Sequence, residues 1–418
     1  MDRRTTYSEL SSQINDKNIV VLEFGRHYTR CGFAGEPAPR SIIKSISTRT
    51  ITLENGCQKA DQVYLYQIKD AAELRSCLGD FIEKIYFSHL AVSPKEKKVV
   101  VVESVFCKSL FRNTLVEVLF DRFNVPALLF VPDHLMALAT LGHNIGLVLD
   151  IGAIEATSIA VVNGVTLLDV AQFASLGAQT LDSLISDEVI KHNPSAKDLL
   201  TPEMVEDIRV RTCFIAPFER GLTMTSCKLR RSKEIHTEAI RIAEENNQEI
   251  SLGTMYDCYF LPDSDEKSPM PLNYSVQGHN MITIPGNLRE GACEILFEIF
   301  GHEHSLTTLV VETILSAPID CRRSLAENVL VIGGLANLPG LEQRLANELK
   351  NIDKYERFRR KIPDTFKFHK PICPRNYVSW LGASMFCTQS SMELRSTTRE
   401  HWLNEGRKSF RDWSDLIR

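Results

Sequence analysis

Two acidic residues of this 418-residue chain stand in the same local setting. Glu23 belongs to Val20-Val21-Leu22-Glu23-Phe24-Gly25 and Asp150 to Leu147-Val148-Leu149-Asp150-Ile151-Gly152; in each, three apolar residues lead into an acid, an apolar residue and a glycine. A buried strand that carries a carboxylate into a turn is the simplest reading. The repetition suggests two half-molecules of similar plan, with chance recurrence of acid-x-Gly after two strands as the alternative. A third run, Val329-Leu330-Val331-Ile332-Gly333-Gly334, brings a glycine pair to the mouth of a helix marked by Leu341, Leu345 and Leu349. Neither glycine has a Cβ, so backbone there can approach a ligand closely, although such pairs also serve turns alone.

Other reactive groupings carry less. Gly301-His302-Glu303-His304 lacks the spacing of a zinc hydrolase and a third ligand, and reads as a polar turn. His134 beside Asp133, and Cys107 near Glu103, match no nucleophile triad at a recognisable spacing. The eleven cysteines are spread without a pair two or three residues apart. That excludes a zinc ribbon and points to a reducing compartment.

The elements that would position these residues alternate. Ile19 to Leu22 predicts a strand and Tyr28 to Phe33 the return arm of a hairpin. Leu74, Leu78, Phe81, Ile82 and Ile85 share one helical stripe, and Val99 to Val102 is a strand. Leu110 to Leu119 is helical, Leu128 to Val131 a strand, and Pro132-Asp133 opens a helix that Asp133 can cap. This alternation makes the class α/β. Ala156 to Val162 forms a strand ending in the turn pair Asn163-Gly164, and another begins at Val165. Helices follow at Leu181 to Ile190, from Pro202 toward Cys213, and at Leu306 to Ile314. Strand segments are expected at 251–261 and 281–284. The charged stretch 228–250 and the proline-bearing stretch 262–271 read as surface. Residues 1–18 read as a mobile arm. Trp402, Phe410, Trp413, Leu416 and Ile417 suit a tail packed on its own domain, with a partner groove as the alternative.

A length of 418 at roughly 150 residues per domain allows two or three domains. Apolar residues at 44%, charged residues at 24% and a net charge of -5 describe an ordinary globular chain and imply no general polyanion-binding surface. The basic runs 230–233 and 357–361 lack interleaved aromatics, so no direct nucleic-acid contact is expected. The first twenty residues hold no apolar signal core, and no apolar run reaches the roughly 20 residues of a membrane span. The expected location is the cytoplasm, with the nucleus as the alternative.

Together these residues resemble the actin family. Gly32-Phe33-Ala34-Gly35-Glu36-Pro37 with Arg40 is similar to the stretch after actin's first phosphate hairpin. Leu147 to Gly152 resembles the second hairpin, Asp207-Ile208-Arg209 with Cys213 the nucleotide-side helix, Val331 to Gly334 with Leu338-Pro339-Gly340 the adenosine-side turn, and Ser379 to Ser384 the C-terminal segment. The similarity runs in order from about Ile19 onward. Within the family, Glu103-Ser104-Val105, Asp133 to Leu138 and Cys321-Arg322-Arg323 are most like the divergent subunits at the pointed end of dynactin's short filament.

The resemblance implies an actin-like fold of two lobes around a nucleotide cleft: 19–143 with 370–418, including a shortened subdomain at about 41–73, and 144–369, including an accessory subdomain at about 178–285. It implies ATP or ADP with Mg2+, near Glu23, Gly25, Arg26, Arg30, Asp150, Gly152, Arg209, Gly333 and Gly334, with Glu23 and Asp150 orienting water around the metal; retained turns without a ligand are the alternative. Arg30 stands where a phosphate-contacting lysine is usual, and Arg209 where a base-side lysine is usual. Ala153 replaces a second acid, and Asp133 and Thr157 replace the water-positioning glutamine and its assisting histidine. Asp133 is left as general base or helix cap. The implied function is a non-catalytic filament terminus in cytoplasm and cytoskeleton. Its partners would be actin, actin-related subunits and the dynactin pointed-end accessory subunits. An active actin-like ATPase and a chromatin-remodelling scaffold are the alternatives.

Overall fold

The computed structural model describes residues 18–52, 58–227, 267–276, 280–298, 304–352, 358, 362–363, 365–387, 395–407 and 410. Residues 1–17 of the N-terminal arm, residues 53–57, the basic run 230–233, the stretches 228–250 and 251–261, the first half of 262–271, most of 357–361, residues 301–303 of the His-Glu-His grouping, and Trp413 to Ile417 lie outside these residues.

The first half runs β1 (Ile19–Phe24), β2 (Tyr28–Phe33), β3 (Ser41–Lys44), β4 (Ile46–Thr52), β5 (Gln58–Tyr64), α1 (Ala71–Lys84), β6 (Lys98–Glu103), α2 (Ser109–Glu117), β7 (Ala127–Pro132) and α3 (Asp133–Ala139). The second contains β8 (Gly146–Ile151), β9 (Ala156–Val162), β10 (Val165–Ala174), α4 (Ala178–His192), α5 (Pro202–Thr212), β11 (Leu272–Val276), β12 (Asn280–Ile284), α6 (Leu306–Ser316), β13 (Val329–Ile332), α7 (Leu341–Lys350) and β14 (Phe368–His369). After it come α8 (Val378–Phe386) and β15 (Thr397–Thr398).

Two large sheets share one plan. The first has order β15-β7-β6-β1-β2-β3, the second β10-β9-β8-β13-β14. In each, an antiparallel meander (β1-β2-β3 or β8-β9-β10) continues from its first strand into parallel neighbours, β6 and β7 or β13 and β14. The sequence echo therefore falls on equivalent strands, β1 and β8. Both sit inside their sheets, which is why Val20 to Leu22 and Leu147 to Leu149 are apolar without alternation and fully buried.

Each sheet has its own core. Leu22, Leu78, Phe120 and Trp402 belong to the first, and Leu149, Leu181, Leu309 and Leu345 to the second. Between them, α3 and α8 cross closely: a Cβ on Gly382 would lie 1.8 Å from the Met136 carbonyl oxygen. Local signals set the helix starts. Asp70 accepts from Glu73 N–H ahead of α1, Thr201 from Met204 N–H ahead of α5 with Pro202 in its first turn, and Ser305 and Thr308 form a capping box on α6.

Two expectations are corrected. Asp133 does not cap α3: the extended cap position is held by Pro132 (φ −74°, ψ 132°), so Asp133 already lies inside the helix and its carboxylate turns to His134. The glycine pair does not open α7 directly, because a 3-10 turn at Leu335–Asn337 intervenes and Gly340, at φ +88°, precedes the helix. In the tail, Trp402 is buried against Phe120 and the Phe410 ring lies 5.4 Å from that of Phe130.

Candidate functional site

A cavity of about 460 Å³ lies between the sheets, and all nine residues singled out above (Glu23, Gly25, Arg26, Arg30, Asp150, Gly152, Arg209, Gly333 and Gly334) line it. The ends of β1, β8 and β13 converge there because each strand stops at a glycine turn.

At the first hairpin, Gly25 N–H donates to the Tyr28 carbonyl at 3.0 Å, and a Cβ on Gly25 would stand 2.6 Å from that oxygen. Glu23 faces Arg30 in the β1–β2 register and accepts from its Nη1 at 2.7 Å. Burial pushes the Glu23 carboxyl up to about 7, with Arg30 opposing. Glu23 Oε2 and Arg30 Nε have no hydrogen-bond partner. The bulky side chains of this first turn are propped on aromatics: Phe24 packs against Phe81 and Phe111, the His27 ring stacks on Tyr64 at 4.7 Å, and the Arg26 guanidinium lies 4.6 Å above Tyr66. Burial lowers the His27 pKa.

At the second hairpin, Gly152 N–H donates to the Glu155 carbonyl at 3.0 Å, and the Gly152 and Ala153 carbonyls accept from Ala178 and Gln179 at the start of α4. Asp150 faces Thr157 in the β8–β9 register. Burial raises its carboxyl to about 6 against the opposing influence of His134. Here the structure joins residues that sequence spacing kept apart. Asp133 Oδ1 contacts His134 Nδ1, and His134 Nε2 lies 2.9 Å from Thr157 Oγ1. His134 is fully buried. Burial lowers its pKa, but the Asp133 contact outweighs this and the net direction is upward. This Asp–His–Thr chain could have been anticipated only from the strand pairing that sets Thr157 beside Asp150.

Cys107 and Glu103 form no such chain. Glu103 pairs with buried Arg112, and burial pushes the Cys107 thiol up to about 12. His304 faces Glu312 at 3.2 Å. Among the described residues no three His, Cys, Asp or Glu side chains gather as a metal-ligand set, and the nine described cysteines are free thiols.

The opposite wall carries Arg209, whose Nε donates to Asp182 at 2.6 Å, with Val210 largely exposed beside it. Gly333, at φ +100°, passes beneath Asp150, and a Cβ there would fall 2.3 Å from Asp150 Oδ1. Nothing lies within 4 Å of a Cβ placed on Gly334.

The actin family profile (Actin) matches residues 14–411. The chain belongs to the actin family. Its α/β sheets around a central cleft are an actin-like fold. A similar protein is actin-related protein 10 of Dictyostelium discoideum, 24% identical over 457 residues that cover 94% of this chain and 87% of that protein. Among the described residues no helix is long and apolar enough to cross a membrane.

Proposed function

We propose that this actin-family chain is a non-catalytic structural subunit that caps the pointed end of dynactin's short actin-like filament in the cytoplasm. In that place it supports attachment of adaptors and cargo for dynein-based transport along microtubules. Its neighbours are actin-related filament subunits and actin, and the pointed-end accessory subunits bind around it.

One observation carries the reading. The β4–β5 pairing continues from Ile46↔Tyr64 to Thr52↔Gln58, so residues 53–57 alone connect the strands where actin-like subunits extend a loop to the next subunit. A connection that short offers a following copy little to grip, whereas the opposite end would meet the penultimate subunit. One usable face and one blunted face terminate a polymer. Similarity to an actin-related protein along nearly the whole chain supports a divergent member of the family.

The cleft fits ATP or ADP with Mg2+ in its unpartnered Glu23 Oε2 and Arg30 Nε and its open approach at Gly334. Glu23 and Asp150 would orient the water around Mg2+, and Gly25, Gly152, Gly333 and Gly334 would let backbone approach the nucleotide. The nucleotide would supply charge that both lobes can grip. Turnover would be very slow. Ala153 has no group to hold a metal-bound water, and Asp133 and Thr157 are both engaged by His134.

The test is purification of the native assembly through this chain, with its subunits identified, alongside phosphate release from the isolated protein. Recovery with actin-related filament and dynactin subunits, and release far below that of an active ATPase, is the expected result. Recovery with chromatin-remodelling subunits, or steady turnover, would refute the reading.

A further inference from the structure

Three polar contacts run from one lobe to the other, two of them between residues that line the cavity. Arg26 Nη2 donates to Glu155 Oε1 at 3.2 Å, Tyr28 Oη to Glu206 Oε2 at 2.7 Å, and Lys44 Nζ to Glu203 Oε1 at 2.7 Å. The donors all stand on the first lobe, at the turn after β1, on β2 and at the end of β3. The carboxylates all stand on the second, at the turn before β9 and in the first half of α5.

Arg26 is the central member because it links the turns of the two hairpins directly. Its guanidinium is braced by the Tyr66 ring, which stacks on Phe111 at 4.1 Å while its hydroxyl donates to the Phe24 carbonyl at 3.1 Å. A side chain held this way loses little freedom when it pairs. The other arginines lining the cavity are also engaged: Arg30 with Glu23, Arg209 with Asp182 and Arg375 with Glu342. A phosphate entering between the turns would meet an Arg26 whose Nη2 already donates to Glu155.

We propose that the cleft carries its own clasp: Arg26–Glu155, Tyr28–Glu206 and Lys44–Glu203 hold the lobes together without nucleotide, and Glu155 competes with phosphate for Arg26. The clasp is independent of any filament role, so it can fail while the pointed-end assignment stands, and the reverse.

The full chain stripped of nucleotide is compared with and without Mg·ATP by small-angle scattering and by hydrogen exchange at residues 24–28 and 152–156. The stripped wild type is expected to keep the radius and turn protection of the Mg·ATP sample. Glu155→Arg places two guanidinium groups face to face and is expected to expand the protein and expose both turns. The swap Arg26→Glu with Glu155→Arg restores closure. Glu155→Ala frees Arg26 and raises affinity for inorganic triphosphate about tenfold. The proposal is overturned if stripped wild type opens and closes only on adding Mg·ATP, a comparison that needs no variant. It is equally overturned if the swap stays open, or if Glu155→Ala leaves triphosphate affinity unchanged.

Discussion

The two hairpins facing each other across the cleft have nearly the same frame and different chemistry. Each is an interior strand that ends in an acid, an apolar residue and a glycine before an antiparallel return. On the first, the acid is paired in register with Arg30 and the turn is filled by Arg26 and His27 resting on tyrosines. On the second, the acid lies beside Thr157, the turn is Ala153 and Ile154, and the polar contacts come from α3. Frame and chemistry are thus held by different residues. Backbone geometry at glycines and apolar strands fixes the frame, while side chains around the cavity exchange one polar contact for another.

The sharpest break of that distinction is at a frame position. Gly333→Val would force a β-branched residue to φ +100° with its Cβ against Asp150 and Ile151. A loss of about 3–5 kcal/mol in denaturant unfolding is expected; near-wild-type stability would show that the frame does not depend on this glycine. Next, His134→Ala removes the buried imidazole between Asp133 and Thr157, leaves Thr157 without that contact and Asp133 with the backbone N–H of residue 134 alone, and should cost about 2–3 kcal/mol. A loss no larger than that of Thr157→Val would mean that the chain is not coupled.

Titration separates the two acids from their frame. Glu23 is raised from 4.5 to about 7 and Asp150 from 3.8 to about 6, so the folded protein holds these protons longer than the unfolded chain. Their contribution to stability is complete below about pH 4 and is lost as pH rises to about 7. His134, also raised, acts in the same direction, favouring the fold below 6.5 and less as pH climbs through its folded value. Metal-free wild type should therefore unfold in less urea at pH 8 than at pH 5.5. Glu23→Gln should flatten that slope and gain on the order of 2 kcal/mol at pH 8, and an unchanged slope would contradict the cause assigned to it. The smallest effect is expected at the rim, where Lys44 and Glu203 are substantially exposed: Lys44→Met should change stability by about 0.5 kcal/mol or less, and a larger loss would make the rim part of the frame.

The frame was legible in the residues because apolar runs, glycines and prolines act locally. Val20 to Gly25 and Leu147 to Gly152 announce equivalent strands, and Pro202 and Asn193-Pro194 bound their helices. The polar network was not. Arg26 meets Glu155 across 129 positions and His134 meets Thr157 across 23, distances bridged only by sheet register and by packing of α3. Asp133 shows the same limit at short range. Its type suits a helix cap, but Pro132 already occupies the extended position, and a displacement of one residue turns a cap into a cavity wall.

The proposed role requires a chain that binds one filament end and admits no further copy. Its most direct test is subunit exchange at the pointed ends of actin-related filaments whose barbed ends are blocked, with the purified chain added in proportion to filament ends. Exchange should stop near one chain per end, and the chain alone should form no filaments. Undiminished pointed-end exchange, or growth of filaments that incorporate the chain along their length, would contradict it.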